Sequence, residues 1–409
     1  MGILFTYDKF PLLVVFNPFA GRKQGQDQFN KVVRPALDQS STTFYLIETT
    51  HHGHAQSYFK ENIQQILIEL AQSFGIRSTH TGGSEEVHAT SSAVHSSSAT
   101  LRIMVLGGDG TVHEIVNGIL TGLVESPLIT DVFRPKVVLS VVPTGTGNAI
   151  ATSLNITTVQ TAVDRFLAGN STPLRVIQVS KQAHEAVKTD SANNNNGHLL
   201  SSVPPRWEPH VYTVVVNSFG LHCATVHDAD GFRFLGNERF KVATLKNIVI
   251  LKQYRARVDF YGPVQRYDRS SKEFSSATHV NSRVVSTEPS LTLSGPFTYL
   301  MFTKQGSLET GFQPTPLART SDEWLDVLAV QNVGRTQILK ILGAAAKEGK
   351  HIEMEKVEYY KVKAVEFESS GVGRLCVDGE FLNVQAGPQG RMRFEVVSDL
   401  NIQLFYVYN

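Results

Sequence analysis

Through the first 170 residues, short and mostly apolar runs alternate with longer segments that are apolar on one face only. PLLVVFNP (11–18), TTFYLIET (42–49), LRIMVLGG (101–108) and KVVLSVVPTG (136–145) have strand length, and three of them end in Asn-Pro or glycine. HAQSYFKENIQQILIELAQSF (54–74) sets Phe59, Ile63, Ile66, Leu67 and Leu70 on one helical face, and Val112, Ile115, Val116 and Ile119 form a second such stripe. Buried strands alternating with amphipathic helices predict a parallel sheet covered on both sides. Ligands of such sheets sit beyond the carboxyl ends of the strands, where the glycine turns lie.

Beyond about residue 170 the period shortens. HVYTVVVNSFG, SLTLSGPFTYLMFT, VEYYKVKAVEFES and RMRFEVVSDLNIQLFYVYN are strand-like, and in RMRFEVV the apolar Met392, Phe394 and Val396 alternate with Arg391, Arg393 and Glu395. One helical segment, TQILKILGAAAKEGK, interrupts them. The expected fold is therefore α/β plus all-β: a parallel α/β domain over 1–168, then a mainly antiparallel β-sandwich over 169–409. Three polar stretches, near 75–100, 181–206 and 266–290, are too rich in Ser, Thr, Asn and His to offset ordering entropy and read as insertions.

Composition narrows the function classes. At 409 residues the chain has room for two domains, and Lys plus Arg at 38 against Asp plus Glu at 37 lacks the basic excess of a nucleic-acid binder. Two cysteines, Cys223 and Cys376, cannot build a disulfide framework and predict a reducing, cytoplasmic compartment. No apolar run approaches the roughly 18 residues that span a bilayer. The start, MGILFT, fits the loose pattern for acylation of Gly2, and equally a plain lead into the first strand. No secretory leader is read there.

The glycine turns carry the candidate chemistry. Gly107-Gly108-Asp109-Gly110-Thr111 joins a strand to a helix, where backbone N–H groups and the helix terminus favour phosphate. A carboxylate at Asp109 would repel phosphate unless a divalent cation intervenes or the carboxylate accepts a proton from a reacting hydroxyl. Either need points to phosphoryl transfer. On this segment alone, a tight turn with Asp109 as a helix cap explains the residues as well. A second turn, PTGTGNAIA (143–151), and the loop NPFAGRKQG (17–25) place further glycines and polar groups at the same sheet edge, which suits a nucleotide-sized anion. Neither glycine turn fits a P-loop or a dinucleotide fingerprint.

NPFAGRKQG, GGDGTVHEIVNG, PTGTGNAIA and the late VDGE (377–380), taken in that order, resemble the diacylglycerol kinase catalytic-domain superfamily, and within it the sphingosine kinase branch. GGDGT alone is shared with NAD kinases. The resemblance implies a two-domain lipid kinase with ATP and Mg²⁺ in the cleft between the domains, the metal held mainly through the ATP phosphates. Carried over by position, it implies that Asn17, Pro18 and Phe19 lie at the nucleotide phosphates. Thr49, Thr50, His51, His52 and Gly53 form a further nucleotide-contacting stretch. Gly107, Gly108, Asp109 and Gly110 adjoin the substrate hydroxyl, with Asp109 as proton acceptor. Glu114, Gly145, Thr146 and Gly147 complete the nucleotide pocket, and Asp378, Gly379 and Glu380 approach from the second domain, sharing the base or metal role. Arg233 and Arg239, in RFLGNERF, would grip phosphate.

The resemblance also implies a sphingoid long-chain base as acceptor, but the expected head-group aspartate falls on Val226. His227, Asp228 and Asp230 stand nearby, so diacylglycerol or ceramide, which carry no cation, remain alternatives. An NAD kinase, or a lipid-binding protein on a kinase scaffold, fits the residues less well. His51, His52 and His54 read as a solvated loop cluster rather than a metal site. The lipid acceptor implies peripheral, reversible contact with a membrane surface.

Overall fold

The computed structural model describes residues 10–21, 23–74, 77–81, 84–88, 99–125, 135–183, 206–236, 238–277, 288–397 and 403–407. Gly2 and its acylation pattern lie outside them. The first sheet contains β1 (Leu12–Phe16), β2 (Phe44–Glu48), β3 (Thr100–Gly107) and β4 (Lys136–Pro143), parallel in the order β2-β1-β3-β4. The apolar side chains of β1, β3 and β4 are almost wholly buried between helices, whereas the edge strand β2 buries Ile47 and leaves Tyr45 and Leu46 exposed. Helices α1 (His54–Ser73) and α2 (Asp109–Glu125) pack together, and both predicted stripes, Phe59–Leu70 and Val112–Ile119, lie in the core. A short helix, α3 (Ala149–Ser153), follows β4.

The sheet is completed from beyond the sandwich. Gln403–Val407 runs parallel beside β4, with Phe405 opposite Val138 and Tyr406 opposite Leu139, and Ser171–Pro173 closes the edge. The expected boundary at 168/169 therefore needs correction: this strand belongs to the first sheet, not the sandwich. The reason is visible in LFYV, which buries Leu404, Tyr406 and Val407 and shows none of the two-residue alternation of RMRFEVV.

The second domain is a sandwich of two antiparallel sheets. One has six strands, including Met392–Val397, and the other has eight. Val258, Phe260, Phe302, Phe367 and Phe394 fill the space between. The eight-stranded sheet includes β5 (Val216–Gly220), β6 (Gly373–Val377) and β7 (Glu380–Val384) side by side. Helices α4 (Leu221–Ala229) and α5 (Glu238–Ile250) follow β5, and α6 (Arg335–Ala345) is the predicted interrupting helix.

Two of the polar stretches carry regular structure. Gln265–Asp268 and Glu273–Ser276 form a hairpin that extends the eight-stranded sheet, because Tyr267 and Phe274 pack against the buried Tyr359. Arg77–Thr81 pairs with Ser84–His88. The middle stretch lies largely outside the described residues. Among the described residues, no helix is long and apolar enough to cross a membrane.

Candidate active site

Three loops meet at the carboxyl edge of the first sheet. Asn17, after β1, donates through Nδ2 to Thr111 Oγ1 at 3.1 Å and accepts the Phe19 N–H at 3.0 Å, which leaves the Phe19 ring exposed. The turn after β3 and the turn after β4 lie backbone against backbone. A Cβ on Gly108 would stand 2.7 Å from Gly147 O, and one on Gly145 would stand 2.3 Å from Gly108 Cα. Those glycines are needed first for the loops to fit each other. Gly110, by contrast, faces open space, and Thr146 and Gly147 are exposed.

Asp109 caps a helix, though not its own. Its Oδ2 accepts the Ala149 N–H at 2.8 Å and its Oδ1 the Ile150 N–H at 3.1 Å, at the start of α3. Burial pushes the carboxyl up to about 6 against the lowering effect of these two bonds, and the charge of Asp378 adds to the rise. The cap and the perturbed acid are thus one feature: α3 orients a carboxylate that stands close to its titration point at neutral pH.

Asp378 approaches from the turn between β6 and β7 and is sealed. Its side chain is 0% exposed, Oδ1 accepts the N–H groups of Val215 and Val216 at 2.9 and 2.8 Å, and Oδ2 accepts Val214 N–H at 2.7 Å. His113 Nδ1, on α2, lies 3.0 Å from the same Oδ2 and ties the two domains together. Burial pushes the His113 imidazole down. The hydrogen bond and charge of Asp378, with Glu380 and Glu114 behind it, outweigh that and leave it above its ordinary value.

Glu114 caps α1, accepting Gly53 N–H at 2.9 Å and Ala55 N–H at 3.1 Å. His52, 74% exposed, bridges the cleft: Nδ1 is 3.2 Å from Glu114 and Nε2 is 3.2 Å from Glu380, which is 58% exposed. Thr49 is buried and held by its N–H to Phe16 O at 2.8 Å, while Thr50 lies between the Nδ1 atoms of His51 and His54, whose rings stack. Among the described residues, no three His, Cys, Asp or Glu side chains converge as a metal-ligand set.

Arg239 stacks over Phe240 and stands 3.9 Å from Asp230, with its Nε unpartnered. The Arg233 side chain lies outside the described residues. Asp228 is occupied: Lys246 Nζ at 2.8 Å, Asn247 Nδ2 at 3.0 Å and His227 Nδ1 at 3.2 Å surround it. Burial pushes its carboxyl up, but those three partners outweigh burial and hold it below its ordinary value.

The structure therefore brings Asn17, Asp109, Glu114, Asp378, Glu380 and His52 into one neighbourhood. Two residues beside them escape a reading by sequence pattern. His113 stands inside GGDGTVHEIVNG, four residues after Asp109, and that spacing is its available signal. Tyr406, fully buried, feels the charges of both Asp378 and Asp109, and nothing local in the sequence announces it.

Both halves of the chain resemble known proteins. Residues 11–179 match the diacylglycerol kinase catalytic domain, and residues 214–389 match the YegS C-terminal NAD kinase beta sandwich-like domain. The chain is similar to sphingosine kinase 2 of Arabidopsis thaliana, 23% identical over 393 residues that cover 91% of this chain and 69% of that one. It is similar to sphingosine kinase 1 of Homo sapiens, 25% identical over 395 residues, covering 93% and 88%. Among solved structures, a putative diacylglycerol kinase from Bacillus anthracis str. Sterne shares the fold, with a TM-score of 0.56, 19% identity, and coverage of 98% of this chain and 97% of that one.

Proposed function

This chain belongs to the diacylglycerol kinase catalytic-domain superfamily and is a lipid kinase, and we propose that it moves the γ-phosphoryl of ATP to the primary hydroxyl of a sphingoid long-chain base. The observation that carries the mechanism is a carboxylate, Asp109, held by α3 beside the second domain and poised near pH 6. The acceptor hydroxyl gives its proton to Asp109 as its oxygen bonds to the γ-phosphorus. The bond from that phosphorus to the β,γ-bridging oxygen breaks, and ADP leaves. Positioning supplies much of the acceleration, because two lobes bring acceptor and donor together.

The remaining groups divide the binding work. Asn17, Gly110 and the exposed turn at Thr146–Gly147 stand where backbone and side-chain donors can meet phosphate oxygens. Arg239, whose ion-pair contact with Asp230 is a long 3.9 Å, exchanges that contact for phosphate. Mg²⁺ bound with ATP would neutralise phosphate charge. Asp109, Glu114 and Asp378 already accept backbone N–H groups, so Glu380 is the site carboxylate best placed to help hold the ion.

Contact with a lipid surface is supported by the α5 region. Phe234 is 81% exposed, and Val242, Leu245 and Val249 form an exposed stripe at helical spacing on α5, with Lys241 and Lys252 beside it. Such a surface suits reversible insertion at a membrane interface.

A second acceptor class has one observation in its favour. Asp228 is neutralised by Lys246, and Val226 carries no charge, so neither position offers an ammonium group an uncommitted carboxylate. That favours ceramide or diacylglycerol. Transfer of labelled phosphate from ATP to sphinganine, sphingosine, ceramide, diacylglycerol and NAD separates the cases. Transfer to the two sphingoid bases is expected. Transfer only to ceramide or diacylglycerol replaces the proposed acceptor, and transfer to NAD alone removes the assignment.

A further inference from the structure

Asp109 is aimed by a helix that cannot hold itself. At five residues α3 is far below the length that is stable alone, so whatever fixes its ends also fixes the N–H groups of Ala149 and Ile150 on the Asp109 carboxylate. Part of that fixing comes from its own domain. Arg165, nearly buried on the helix Val159–Ala168, donates to the carbonyls of Leu154 and Asn155 just past the end of α3.

The rest comes from the other domain. Ser153, the last residue of α3, makes a reciprocal pair with the backbone of Ser307: its Oγ donates to Ser307 O at 3.0 Å and accepts the Ser307 N–H at 3.1 Å. Ser307 ends a buried run that leads back to the Asp378 turn. Thr303 Oγ1 donates to Val215 O at 2.6 Å and Gln305 Nε2 to Val214 O at 2.7 Å, while Val214 and Val215 give their N–H groups to Asp378. Thr303 and Gln305 are both fully buried. Hydrogen bonds and a short run of backbone thus join the two aspartates, and Ser153 is the side chain at which that route crosses between domains. We propose that Ser153 is a positioning residue for Asp109: by tying α3 to the loop 303–307, it makes the aim of the base depend on the docked position of the second domain. The inference rests on the reading of Asp109 as the base. Ser153 stands about 6 Å along the helix from Ala149, so it acts through α3 and not by contact. So short a helix moves as one piece, and a base displaced by about half an ångström loses its productive geometry.

The test is steady-state transfer from ATP to sphinganine, or to ceramide or diacylglycerol if sphinganine is not accepted, at a temperature where each variant is folded. Ser153→Ala should lower kcat about tenfold, the change one such pair of hydrogen bonds accounts for, with KM for ATP within about twofold of wild type. The acid limb of kcat/KM should move to higher pH, because the two N–H groups that hold the charged form of Asp109 against burial and the charge of Asp378 are loosened. Ser153→Thr, which keeps the hydroxyl, should restore both. Ser153→Cys, a weaker donor of similar shape, should give a smaller loss in the same direction and serves if the alanine variant does not fold. In an Asp109→Asn background, Ser153→Ala should have no further effect on the residual rate. A lowered melting temperature with kcat and the acid limb unchanged reduces the pair to domain packing and overturns the proposal, as does an equal loss in the Asp109→Asn background. Full activity of Asp109→Asn itself would instead sink the reading of Asp109 as base, whatever Ser153 does.

Discussion

The two Asp-Gly turns of this molecule invite comparison because they start from the same chemistry. Asp109 and Asp378 each follow a buried strand, precede a glycine and accept backbone N–H groups. They differ in how far that process goes. At Asp378 three consecutive N–H groups and His113 close around the carboxylate, so its charge holds a turn and joins two domains. At Asp109 two N–H groups orient the carboxylate and leave part of it open, and burial without full compensation lifts its proton affinity. A saturated carboxylate suits a structural role, and a partly saturated one keeps the acceptor capacity that the proposed base needs.

The sharpest way to break this contrast is Asp109→Asn, which keeps the shape and one cap acceptor. Turnover is expected to fall by roughly 10²-fold or more with the fold retained, read by steady-state kinetics beside thermal unfolding. Normal turnover would return Asp109 to the role of a helix cap. The mirror experiment, Asp378→Asn, leaves amide hydrogens facing backbone donors. It should cost about 3 kcal/mol of stability, measured by urea unfolding. A stable but inactive Asp378→Asn protein would reverse the assignment of the two turns.

Proton linkage offers a smaller and more specific test. Asp109 has a folded value of about 6 against an ordinary 3.8, so its protonated form favours folding. That contribution is full below about pH 4 and is lost as pH rises towards 6, the interval over which turnover should rise. His113 is raised above its ordinary value by Asp378. Its contribution is full below about pH 6.5 and is lost as pH climbs through the raised folded value. His113→Gln should therefore flatten the upper part of the stability profile and leave the lower part alone. If both parts flatten together, the two aspartates are not independent.

The smallest effect is expected at the exposed bridge. His52→Ala removes contacts to Glu114 and Glu380 that water can replace, and should change KM for ATP by less than about threefold. A tenfold change would show that the bridge, and not the buried His113–Asp378 link alone, sets the closure of the cleft.

Much of the site is legible in the amino-acid sequence. GGDGT, the turn at PTGTG and the late DGE mark the places where strands end and loops converge, and helical spacing marks the faces of α1 and α2. What local pattern cannot carry is pairing across distance. Gly108 and Gly145 read as open anion cradles, although each leaves room for the other. His113 meets its partner 265 residues away, and Tyr267 with Phe274 orders a hairpin inside a stretch whose composition reads as loop. LFYV lacks the alternation of a sandwich strand, but nothing local in it names β4 as its neighbour.

That strand has a consequence for how the molecule is made. The first lobe lies towards the amino end, yet its sheet takes a member from residues 403–407, after every described strand of the sandwich has been synthesised. On the ribosome the first lobe must wait, one edge of β4 unclaimed, while the second is translated. The first sheet is therefore finished last, by a strand synthesised after both Asp109 and Asp378.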